Sequence, residues 1–244
     1  MQVFRNTVFC AVIAGLFAGL VLAAMQVYST VPLIVEAESY EAAAPADDGH
    51  SHDHGDAGAG HVHDHGEGWA PADGAERLGY TILTNVVGAI GLALIIVVAS
   101  ELVGGIAGWR QGLLWGFGGF ATFVVAPGLG MPPELPAMPA ADLGARQSWW
   151  IATVLLTGGG LALIAFWRSL PIALLGVALL VAPHLWGAPL PDSFETPVPD
   201  ALHHRYIVAV TVTNLLFWIV LGLAIAAVRS RFNLGASQPA DGIA

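Results

Sequence analysis

Six stretches of the chain are apolar over the length needed to cross a membrane, and the polar residues collect in the gaps between them. A hydrocarbon core of about 30 Å needs roughly 20 helical residues, or about 17 at the short end. The runs are Val8 to Tyr28, Tyr80 to Ser100, Trp109 to Leu129, Trp149 to Trp167, Leu170 to Trp186 and Tyr206 to Val228. Pro127 and Pro183 lie near the ends of the third and fifth, and only Arg168 and Ser169 separate the fourth from the fifth. Five spans result if that pair is one bent element. Tyr28, Tyr80, Trp109, Trp149, Trp150, Trp186 and Tyr206 fall at run ends, where amphipathic rings anchor at the membrane surface. The pattern predicts an all-α fold, a polytopic membrane helix bundle of six or five spans, with residues 1–244 as one membrane domain.

Composition excludes the competing classes. Of 244 residues, 56% are apolar and 11% charged, and the mean hydropathy is +0.70, which rules out a soluble globular domain. Cys10 is the only cysteine, so no disulfide framework exists. Lysine is absent, and with it a P-loop lysine, a pyridoxal Schiff base and any lysine nucleophile. The first run is about twenty residues long, against 7 to 15 for a signal-peptide core, and no clean cleavage site follows. It reads as a retained helix, with Cys10 as a small packing residue. Gly15 and Gly19, and then Gly104, Gly108, Gly112 and Gly116, recur every fourth residue, a spacing that lets helices approach closely in lipid.

The net charge is -10, which makes nucleic acid a poor partner and a cation a better one. With six spans and both termini cytoplasmic, the inner side holds Arg5, Arg110, Arg168, Arg229 and Arg231 against Glu101 and Asp241. The outer side holds Arg77, Arg146 and Arg205 with the other 16 carboxylates. Short cytoplasmic loops are enriched in arginine, so this orientation obeys the rule.

The region from about Ser29 to Gly79 reads as an outer loop, with residues 42–68 a flexible His-rich insertion. It carries H-x-H-D-H-G twice, as His50, His52, Asp53 and His54, then His61, His63, Asp64 and His65, eleven residues apart. Imidazole nitrogen suits Co, Ni, Cu and Zn, and the aspartates add oxygen donors. Glycine-rich spacing lets several histidines reach one ion, so capture should be adaptable and poorly selective. The bland alternative is a solvated linker; zinc-finger spacing is absent because no cysteine accompanies these histidines.

Further candidates lie outside the loop. Glu36, Glu38 and Glu41 form either a second coordination station or a solvated collar; on a continuing helix Glu38 and Glu41 share a face. His184, after Pro183 inside the fifth run, is either a pathway ligand or an interfacial hydrogen-bonded residue. His203 and His204 are ligands or interfacial polar groups. Gln26, Asn85 and Asn214 can line a path or bond helices together, the second being the preferred role for the two asparagines. Glu101 is an exit site or an interfacial charge. The segment Val125-Ala126-Pro127 echoes Val181-Ala182-Pro183, and Thr84-Asn85 echoes Thr213-Asn214, which suggests a parallel repeat of helical hairpins.

Four blocks of this sequence carry a likeness. F-R-N-T-V-F-C-A-V-I-A-G-L-F-A-G-L, V-P-L-I-V-E-A-E-S-Y-E, W-A-P-A-D-G-A-E-R and P-G-L-G-M-P-P-E-L-P-A-M-P-A-A-D-L-G-A-R-Q-S-W-W, with the His-Asp insert, resemble the CbtA family of predicted cobalt transporter subunits. The resemblance implies a bacterial inner-membrane protein of cobalt uptake and cobalamin supply, with a small single-span, His-bearing partner subunit, CbtB. That family is described with about five spans, and no catalytic residues travel with it. The expected function is inward movement of Co²⁺; the rivals are a nickel or zinc permease and a non-transporting metal-binding accessory or sensor. Whether the chain forms a homo-oligomer is open. An enzyme is not expected, since there is no H-E-x-x-H and no recognisable catalytic Ser-His or Cys-His pair.

A peptide spanning His50 to His65 should bind Co²⁺, Ni²⁺ and Zn²⁺, with nickel tighter than cobalt. Titration calorimetry should show binding weaken as pH falls through about 6.5, where protons compete for imidazole. A pronounced preference for cobalt over nickel would contradict the adaptable site.

Overall fold

A computed structural model describes residues 2–43, 71–72 and 74–231. Among them every regular element is helical: α1 (Gln2–Ser29), α2 (Val31–Ala43), α3 (Ala75–Glu101), α4 (Trp109–Phe120), α5 (Ala126–Gly130), α6 (Leu143–Phe166), α7 (Leu170–Trp186) and α8 (Asp200–Arg231). A π-helical turn, Ala121–Val125, joins α4 to α5. All six apolar runs are helices, as expected where lipid offers no partner for backbone groups. Five rods, α1, α3, α4 continued into α5, α6 and α8, are long and apolar enough to cross a membrane. The sixth, α7, has 17 residues, about 25 Å at 1.5 Å per residue. The protein is a polytopic helical bundle.

Small residues set the packing. α1 lies between α3 and α8 and turns Cys10, Ala11, Ala14 and Ala18, all fully buried, toward a core completed by Ala93, Val97, Phe217, Trp218, Leu221 and Ile225. At Gly15 and Gly19 the backbones touch: a Cβ there would lie 2.5 Å from Ile90 Cα and 2.6 Å from Val86 Cα. α4 meets α8 in the same way, with Gly112 against the Gly222 carbonyl and Gly116 against the Trp218 carbonyl. Gly160 of α6 and Gly176 of α7 form a third such contact, which the glycine spacing did not reveal.

Two sequence expectations are corrected. A Cβ on Gly104 or Gly108 would meet nothing within 4 Å, and both residues lie in the α3–α4 connection, where Gly104 adopts φ 97°. Fourfold spacing alone does not distinguish a helix face from a turn that needs a left-handed residue. The region after the first span is not loop throughout, because α2 occupies Val31–Ala43. Leu33 and Ala37 are buried against Leu135, Val198 and Leu202, with Tyr40 beside them. That three-residue stripe, in a helix too short and acidic to span, is what the hydropathy pattern passed over.

The π turn has a local cause. The Ala126 N–H reaches back five residues to the Ala121 carbonyl, and Pro127, which has no N–H to donate, enters at the start of α5. Pro183 sits in the last turns of α7. The carbonyls of both prolines accept from the residue four further on, Met131 N at 2.8 Å and Gly187 N at 3.1 Å. The Val-Ala-Pro echo is thus a shared way of ending a helix. Trp149 of α6 lies against both ends: its indole N–H donates to the Pro183 carbonyl at 3.2 Å, and a Cβ on Gly130 would meet its ring at 2.5 Å.

Gly19→Leu should destabilise the purified protein by about 1–3 kcal/mol, the usual cost of overpacking, seen as a lowered thermal transition in detergent. Gly88→Leu, at a position with open space around it, should leave that transition in place. Equal effects of the two would refute the close-contact account.

Candidate functional site

Where α1 turns into α2, these helices face α3 and α8 across a cavity of about 240 Å³. Its polar wall is Gln26 and Thr30, Arg77 and Thr81 of α3, and Tyr206, Thr213 and Asn214 of α8. Hydroxyls and amides within spans are costly unless bonded, and they gather where a protein lines a water-filled space. Here they are bonded. Asn85 Nδ2 donates to Gln26 Oε1 at 2.6 Å, tying α3 to α1. Ser29 Oγ and Thr213 Oγ1, 3.0 Å apart, tie α1 to α8. The Thr-Asn echo therefore places polar residues on both sides of α1. Asn85 takes the helix-bonding role, whereas Asn214 bonds the Val210 carbonyl of its own helix at 2.9 Å and faces the cavity.

Ion pairs rim this end. Both guanidinium nitrogens of Arg77 engage Glu38 of α2: Nη2 meets Oε1, and Nη1 meets Oε2 at 3.0 Å. Glu36 lies 4.0 Å from Arg205, and Glu134 lies 3.1 Å from Arg146. Each of these arginines faces a carboxylate, so the acidic residues here partly cancel fixed positive charge. As half-exposed pairs they add about 0–1 kcal/mol each, so their weight is electrostatic more than structural.

The remaining sequence-predicted residues are scattered. His184 of α7 is half-buried and packs edge-on against Trp149, ring centroids 6.2 Å apart, and α7 contributes nothing to the cavity wall. His203 Nε2 lies 3.0 Å from the Pro133 carbonyl; a carbonyl only accepts, so that nitrogen carries the proton. His204 is exposed. Among the described residues no three His, Cys, Asp or Glu side chains come together. His50, His52, Asp53, His54, His61, His63, Asp64 and His65 lie outside the described residues. Sequence reading missed Thr30 and Thr81; the signal was present, in hydroxyl residues near the same ends of successive spans.

At the opposite end, Glu101 of α3 takes both guanidinium nitrogens of Arg229 of α8, with Nη2 to Oε2 at 3.2 Å. The Arg229 side chain is only 6% exposed. The guanidinium occupies the space a Cβ on Gly105 would fill, and Gly105 has φ 77°. Both facts demand glycine there. Cys10 Sγ points at the Ile225 carbonyl at 3.8 Å, a packing contact in the core. α3 is held by ion pairs at both ends, to α2 and to α8.

A polytopic helical bundle with a polar cavity at one end and ion-paired helix termini is the build of a multi-span membrane protein. The chain belongs to the CbtA family, probable cobalt transporter subunits, whose family model matches residues 4–230. No curated protein and no solved structure matches the chain.

Proposed function

We propose that this subunit moves Co²⁺ inward across the bacterial inner membrane, with both termini cytoplasmic and the cavity and His-rich segment on the outer face. The role is transport, not catalysis. The observation that carries this reading is one of placement. α2 ends at Ala43 and α3 begins at Ala75, so the segment bearing His50 to His65 is tethered at both ends to helices that wall the cavity. His50, His52, His54, His61, His63 and His65, with Asp53 and Asp64, collect the ion. Glu36, Glu38, His203 and His204, on the two helices α2 and α8 that also contribute to the cavity wall, act as relay groups. The edge-on packing of His184 against Trp149 favours its interfacial role.

An inward-negative potential contributes about 2.3 kcal/mol per charge per 100 mV, roughly 4.6 for a divalent ion, which can drive uptake without ATP. A subunit implies a partner, and a small single-span, His-bearing chain, CbtB, supplies nitrogen donors beyond those of these spans. The link to cobalamin supply follows from cobalt's use.

Uptake of radioactive cobalt into liposomes holding the chain, alone and with the partner, tests this reading. Replacing the six loop histidines by alanine should raise the half-saturating cobalt concentration several-fold and leave the maximal rate nearly unchanged, because a collector alters supply. His184→Phe, which keeps an edge-on ring, should change neither. No uptake in either preparation would favour the accessory reading, and loss of uptake at saturating cobalt in the six-histidine variant would make the loop obligatory.

A further inference from the structure

The apolar helices stand in an open row. Among the described residues, α3 packs along α1, α1 along α8, α8 along α4, the α4–α5 rod against α6, and α6 along α7. Among those same residues α7 comes near no helix but α6 and α5, and neither α6 nor α7 approaches α3. Each neighbouring pair is antiparallel. Gly15 and Gly19 of α1 meet Ile90 and then Val86 of α3, and the same reversal holds at the other four junctions. The described row holds five long apolar helices and the shorter α7. Alternation along an even number leaves its end members, α3 and α7, running in opposite directions.

Both end helices turn an apolar face away from their neighbour. On α3 that face carries Val87, Gly91, Ile95 and Val98, all exposed on the side away from α1. A Cβ on Gly91 would meet nothing within 4 Å, so the face is a trough. On α7 the exposed Leu174, Val181 and Leu185 form a ridge, on the side away from Gly176 and Pro183, which meet α6. Large side chains seated over a glycine let two helices pack closely in lipid, where packing must supply the attraction. The length of α7 adds a second reason. Its 17 residues span about 25 Å, short of a hydrocarbon core of about 30 Å, and association is one way a short helix offsets that mismatch.

We infer that α7 of one copy of this chain packs antiparallel against α3 of a second copy, with Leu174, Val181 and Leu185 entering the trough at Gly91. Direction selects this pairing. In copies inserted alike, α3 against α3 or α7 against α7 would run parallel, and only α7 against α3 continues the alternation of the row. The contact joins two different surfaces, so each copy keeps one edge free until a ring closes. It depends on the order of the helices and not on the transport reading.

Cysteine cross-linking of full-length chains in membranes, in a Cys10→Ala background, tests the pairing. Gly91→Cys and Val181→Cys chains bearing different tags are coexpressed and oxidised with copper phenanthroline. A product joining the two tags should form in at least fivefold greater yield than with Gly91→Cys and Leu155→Cys, the latter an exposed position of α6. Ile95→Cys with Leu174→Cys should behave alike, and it serves where the first pair fails to insert. Adding Gly91→Phe to that second pair should lower its cross-linking at least fivefold and leave helical content unchanged. Absence of a product from both pairs, a yield equal to the Leu155 control, or no effect of Gly91→Phe would each overturn the inference. So would a product from Gly91→Cys chains alone, which would make α3 its own partner. Loss of the cross-link on coexpression of the small partner subunit would overturn it too, by giving this face to another chain.

Discussion

With only hydrogen at Gly15 and Gly19, α1 comes into backbone contact with α3, and the polar end of the bundle follows from that approach. Lipid tails are as apolar as leucine, so no hydrophobic force holds two helices together inside a membrane; packing and interhelical hydrogen bonds must. Two turns beyond Gly19, the same approach puts the Gln26 amide within 2.6 Å of Asn85. On the other side of α1 it leaves Ser29 beside Thr213. Such bonds are worth only about 0.6 kcal/mol each on average. Their effect here is to fix side-chain oxygens around a cavity in place of closing it.

α3 carries an ion pair at each of its ends. Arg77 near its start engages Glu38, and Glu101 at its finish engages Arg229. The two pairs differ in consequence. Arg77 and Glu38 are both about a third exposed, so separating them costs little. Arg229 is buried, and removing one partner of a buried pair typically costs about 3–5 kcal/mol. The cavity end is thus the soft end of the bundle and the Glu101–Arg229 end the hard one.

The helical architecture was legible because its signal is summed over long runs: six apolar stretches of 17 residues or more cannot be satisfied in lipid except as helices. Gly15 and Gly19 were legible for the same reason, being on one face of a helix already established. Pair identities were not. Nothing within the chain order joins Glu38 to Arg77 or Glu101 to Arg229, since each pair is made by helices whose adjacency only the fold decides. Asn214 shows the limit well: its residue type allowed bonding between helices or lining a path, and only its contact with Val210 in its own helix separates the two.

If the transport reading holds, the cavity between α1, α3 and α8 is where the cation meets the membrane domain from outside. Single cysteines at Thr81 and Asn214, in a Cys10→Ala background, can be reacted in intact cells with a membrane-impermeant thiol reagent. Both positions should be modified from the outer face, and Co²⁺ should slow the reaction. Modification only after permeabilisation, or at a rate no cation alters, would contradict that placement.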